Sequence, residues 1–86
     1  MIIEVFGKGC HRCHATRDNA IKALKELNLK EGEDAIVNHI TDITLFAGRG
    51  VILTPTVIID GVKMSEGRVP ETPEIKQWIK DKLPGK

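Results

Sequence analysis

The sequence predicts a single α/β domain over residues 1–86, in the order β-α-β-α-β-β-α, built as a four-stranded mixed sheet with helices on both faces. Three observations predict it. An apolar, β-branched N-terminal run is followed by a segment of helical period and then by a second apolar run, the pattern of a strand, a right-handed crossover helix and a parallel strand. Asp60-Gly61 stands between two short strand-like runs, a strong two-residue hairpin signal that adds an antiparallel pair. A chain of 86 residues supports one core and no more.

Met1 to Phe6, interrupted only by Glu4, reads as a buried strand, and Gly7-Lys8-Gly9 breaks it. His11 to about Leu29 reads as a helix with Ala20, Ile21, Leu24 and Leu27 on one face and Lys22, Lys25 and Glu26 mainly outside. Asn28 and the Gly32 region end it. Asp34 to Thr41 is the second strand. Asp42 to Ala47 reads as a short helix capped by Thr41 or Asp42 and stopped by Gly48 and Gly50. Thr56 to Asp60 and Val62 to Ser65 are the hairpin strands. In the last helix Thr72 is the expected N-cap, Pro73 the first helical residue and Glu74 a favourable charge at the positive end. Ile75, Trp78, Ile79 and Leu83 form its apolar face, and Pro84-Gly85 ends it.

Apolar residues make up 41% of the chain, enough for a core without staples, and the net charge is +1. That balance offers no basic stripe for nucleic acid and no acidic tail. With only Phe6, Phe46 and Trp78 as aromatics, a base-stacking surface is not expected. The apolar start is too short for a signal-peptide core and lacks a basic segment before it. No run approaches the roughly 18 apolar residues of a membrane span. A cytoplasmic monomer that binds neither membrane nor nucleic acid is therefore expected.

The chemistry points to Cys10-His11-Arg12-Cys13. A bridge across so short a loop restrains the unfolded chain little, so a structural role is weak. In a reducing compartment such a pair is more often catalytic or metal-binding. The motif sits at the turn from a strand into a helix, where unpaired N–H groups and the helix dipole favour a thiolate. Cys10, at the very start, is the expected nucleophile. Cys13, about one turn further in, is the resolving thiol. Lys8, His11 and Arg12 add positive charge that would tune the thiolate.

The stretch from Ile3 to Cys13, with Thr54-Pro55-Thr56-Val57-Ile58-Ile59-Asp60-Gly61 and Gly67-Arg68-Val69-Pro70 before the last helix, resembles the small thioredoxin-like redox-active disulfide proteins of bacteria and archaea. The resemblance covers essentially the whole chain in the right order. It implies a compact thioredoxin fold, disulfide reductase activity, protein disulfides as substrates and a thioredoxin-reductase-type electron donor. No cofactor is implied beyond the reversible Cys10–Cys13 disulfide. It also implies a cis Thr54-Pro55 bond facing the motif, which sequence alone assigns to only about 5–6% of X-Pro bonds. Thr54 and Pro55 would then form a shelf where an extended substrate pairs by strand addition. Gly9, Ile52, Leu53 and Arg68, with His11, are candidates for the surrounding contact face.

Glu4 precedes Cys10 by the spacing of the buried acid of ordinary thioredoxins, which implies a proton relay for Cys13; a partly solvated strand carboxylate is the other reading. The chain departs from the Trp-Cys-Gly-Pro-Cys of ordinary thioredoxins in having Gly9 before the motif and His-Arg within it. The charged pair should stabilise the thiolate and raise the potential above about −270 mV. Alternatives are a glutaredoxin-like protein and a CxxC metal-binding chaperone for Cu(I) or Zn(II). The segment after Met64 lacks the double glycine of the first, and the Thr-Pro start of the third strand argues against the second. With His14 the motif also matches the CxxCH haem-attachment signature, but the β-rich pattern does not suit a small haem-wrapping helical fold. His14 otherwise reads as a helix surface residue, and His39 has no partner visible in the sequence.

Overall fold

The computed structural model describes residues 1–9 and 11–82. Cys10 and the expected helix end at Leu83, Pro84 and Gly85 lie outside the described residues. The elements are β1 (Ile2–Phe6), α1 (His11–Glu26), β2 (Ile36–Ile40), two 3-10 helices (Ile43–Leu45 and Ala47–Arg49), β3 (Thr56–Ile59), β4 (Val62–Glu66) and α2 (Thr72–Lys82). The sheet order is β2-β1-β3-β4. β1 pairs parallel with β2 and antiparallel with β3, and β3 pairs antiparallel with β4. The mixed sheet of a thioredoxin-like fold is thus present, with the N-terminal strand at its centre.

The period of two along β1 divides the core. Ile3 faces α1 and α2 and joins Val57, Ile59, Ala20, Ala23, Leu24, Ile75 and Ile79 in one buried cluster. Phe6 belongs to a second cluster with Ile58, Phe46 and Val51, closed by the 3-10 segment. Both faces therefore carry helices, but of unequal kind. The buried stripe of α1 runs Cys13, Thr16, Ala20, Ala23, Leu24. Ala23 takes the place expected for Ile21, because a small side chain lets α1 approach α2; Lys76 on α2 completes the contact with a 3.1 Å ion pair to Glu26.

Element ends follow local chemistry. Asn28 adopts a left-handed φ of 59°. The Leu29 amide donates to the Leu24 carbonyl and the Asn28 amide to that of Lys25, a Schellman ending that stops α1 before Leu29. Asp60 and Gly61 have φ of 50° and 85°, the two positive values of a type I′ turn. The single helix expected at Asp42–Ala47 is instead two 3-10 turns. Ile43 and Leu45 stay 52% exposed, so packing supplies too little to sustain a longer helix. At α2 the Glu71 carbonyl accepts the first bonds, from Glu74 and Ile75, so the cap falls on Glu71 and not on Thr72, and the helix begins at Thr72, one residue earlier than expected.

Candidate functional site

β1 ends, β3 begins and α1 starts at one end of the sheet. Gly7 leaves β1 with its amide donating to the Ile40 carbonyl at 3.0 Å. Phe6 is in register with Thr56, which brings Thr54 and Pro55 to the same end. The Thr54–Pro55 peptide bond is cis, as the resemblance implies.

Cys13 lies in the first turn of α1 and is fully buried. Its thiol lodges against Gly7 so closely that a Cβ added there would stand 2.0 Å from Sγ. Gly7, which the sequence marks only as a strand breaker, is thus the floor of the Cys13 site. Thr16, one turn on and also buried, satisfies its hydroxyl by donating to the Arg12 carbonyl at 2.9 Å.

Arg12 points across to β4 and donates to the Gly67 carbonyl at 2.9 Å. The Gly67 amide in turn donates to the Pro55 carbonyl at 2.9 Å. Gly67 therefore joins the dithiol motif to the Thr54–Pro55 turn. Its φ of 80° requires glycine, and a Cβ there would press on Leu53 at 3.2 Å. Ile52 and Leu53 stand 85% and 59% exposed beside this junction. Their amides both donate to Glu66, at 2.7 and 3.0 Å, and Lys63 donates to the same carboxylate at 3.0 Å. The two amides first, then Lys63, pull the Glu66 carboxyl down to about 2. The sequence pattern assigns Glu66 no role; it ends its strand opposite Thr56.

The other expected residues are distributed unevenly. Lys8 and His11 are exposed and Gly9, with φ 85°, is half-buried. Arg68 turns away from the motif, gripping Glu74 through two hydrogen bonds of 2.7 and 2.6 Å and lying over Trp78 at 5.9 Å. Trp78 packs on the core cluster, as expected for it. Glu4 projects on the sheet face opposite α1, where Arg49 holds both its oxygens at 2.9 and 2.5 Å. The same Arg49 guanidinium lies 5.4 Å over the Phe6 ring.

His39 has a partner after all. Its ring meets His14 edge to face, with centroids 5.2 Å apart and planes at 88°. Burial first, then His14 and Arg17, push its pKa below the usual 6.5, while a backbone hydrogen bond at Gly7 pulls the other way. Among the described residues no group of three or more His, Cys, Asp or Glu is placed to hold a metal ion, and no helix is long and apolar enough to cross a membrane.

A four-stranded mixed sheet with a CxxC helix at one end and a cis-proline turn beside it defines the thioredoxin-like class of α/β proteins. A thioredoxin-domain family profile matches residues 1–80, and the chain belongs to that family. It is 40% identical over 86 residues to a thioredoxin of Methanocaldococcus jannaschii, covering 100% of this chain and 94% of the relative. It is 34% identical over 79 residues to a thioredoxin of Methanothermobacter thermautotrophicus, covering 92% and 97%. A solved structure described as "Structure of a malarial protein" superposes with a TM-score of 0.67 at 17% identity, covering 95% of this chain and 96% of that one. That likeness concerns the fold.

Proposed function

We propose that the chain is a cytoplasmic, monomeric thiol–disulfide oxidoreductase that reduces protein disulfides with Cys10 and Cys13. The observation that carries this reading is the seat of Cys13: buried in the first turn of α1 against Gly7, next to an Arg12 that is bonded through Gly67 to Pro55. The thioredoxin relatives, alike over nearly their whole length, support the same reaction class.

In this reading the Cys10 thiolate attacks one sulfur of a substrate disulfide, and the other leaves as a thiolate that solvent protonates. Cys13 then gives up its proton to solvent and attacks the Cys10 sulfur of the mixed disulfide. The Cys10–Cys13 disulfide forms and the second substrate thiolate departs. Two electrons have passed to the substrate, and a reductase-type dithiol donor returns them. Lys8, His11 and Arg12 raise the local positive potential. Thr54, Pro55 and Gly9 present the backbone along which an extended substrate lies, with Ile52 and Leu53 as apolar contacts. Glu4 is a proton relay only if its carboxylate leaves Arg49.

Reduction of insulin driven by dithiothreitol tests the reading. Turnover by the wild type and its loss to background in both Cys10→Ser and Cys13→Ser is the expected result. Wild-type turnover no faster than dithiothreitol alone overturns it.

A further inference from the structure

The imidazoles of His14 and His39 stand at the dithiol motif without a role in the reaction as written. His39 lies on β2 in register with Val5, on the sheet face that carries α1. Its Nε2 is buried and has no hydrogen-bond partner among the described residues, and the Gly7 backbone lies on its other side. Gly7 is the residue on which the Cys13 thiol rests. His14 follows Cys13 directly, and its Nε2 lies 3.7 Å from where a Cβ of Gly9 would be, one residue before Cys10. The two rings, in contact with each other, thus flank the Gly7–Gly9 segment that leads into the motif.

We propose that His14 and His39 act as one imidazole couple, positioning the Gly7–Gly9 segment and holding a single proton whose affinity follows the redox state of the Cys10–Cys13 pair. This rests on the thiol–disulfide reading above. The charged groups facing His39 are His14 and Arg17, both on α1, and both disfavour its protonation. Two imidazolium rings 5.2 Å apart beside a guanidinium would repel, so a second proton on the couple is disfavoured. Reduction places a thiolate at the α1 start, and that negative charge raises the couple's proton affinity. Two electrons and two protons then enter on reduction: Cys13 takes one proton, the couple takes the other, and Cys10 remains a thiolate. Oxidation releases both. This applies between the couple's protonation midpoint in the oxidised form and its higher midpoint in the reduced form. Glu4, bound to Arg49 on the opposite face, is poorly placed for the same task.

The test is NMR titration of the His14 and His39 ring protons in the intact chain, once reduced with a phosphine and once oxidised with diamide. The two rings should share one protonation step whose midpoint is higher in the reduced form by about half a pH unit or more. In His39→Gln, which keeps a polar side chain there but cannot titrate, the redox-dependent part at His14 should shrink, and the couple's break in midpoint potential against pH should vanish. Titration at the same pH in both redox states, or a break that persists in His39→Gln, overturns the proposal. Absence of insulin turnover in the wild type would remove the proposed function, while the imidazole titration would still decide the coupling.

Discussion

The two faces of the sheet are built by different means. Under α1 and α2, regular helices bring aliphatic side chains onto Ile3, Val57 and Ile59, and every member of that buried cluster is close to fully enclosed. Among the described residues, the opposite face is covered by the 3-10 segment. There Phe46 remains 9% exposed at the edge of its cluster, and the strand's remaining polar position is settled by the Glu4–Arg49 ion pair. The first face is a scaffold that holds α1, and with it Cys13, in place. The second is a lighter cover whose loop continues directly into Ile52, Leu53 and Pro55. Close packing is thus concentrated behind the buried Cys13, and the exposed Ile52 and Leu53 hang on the thinner side.

Mutations should separate the two faces. Ile75→Ala, emptying the helix-covered cluster, should cost about 3–4 kcal/mol in urea unfolding. Phe46→Leu on the other face should cost about 1 kcal/mol, because its edge can relax. Comparable losses would show the two faces to be equally tight. Gly7→Ala forces Cys13 to move and should cost about 2 kcal/mol by overpacking, with a larger effect on disulfide exchange than its stability loss accounts for.

The smallest expected effect concerns acid. Glu66 has a folded pKa of about 2 against 4.5 for the unconstrained group. As pH falls the unfolded or unlatched chain therefore protonates first. The latch on Ile52 and Leu53 is complete above 4.5 and is lost as pH falls toward about 2. The amide chemical shifts of Ile52 and Leu53 should follow that low titration and should not do so in Glu66→Gln.

What was legible in the sequence is what local chemistry decides. Asp60-Gly61 forms its turn because those two residues tolerate positive φ, and Cys13 falls on the buried side of α1 by helical period alone. The Asp42–Ala47 segment misled because its helix signals were present but nothing waited to bury Ile43 and Leu45. Arg49 with Glu4, His39 with His14 and Glu66 with the Ile52–Leu53 amides are pairings across the fold. No spacing rule within one element reveals them, since each depends on which strands become neighbours. Gly7 and Gly67 carried a trace, being glycines beside the motif and the proline, but their reason is a close approach that only the packed chain displays.

The central claim is that Cys10 attacks and Cys13 resolves. Its most direct test is to mix Cys13→Ser with an oxidised protein substrate and map any covalent adduct by non-reducing mass spectrometry. A mixed disulfide through Cys10, absent in Cys10→Ser, is the result predicted. An adduct that forms through Cys13 in Cys10→Ser as readily as through Cys10 in Cys13→Ser, or no adduct in either, would contradict it.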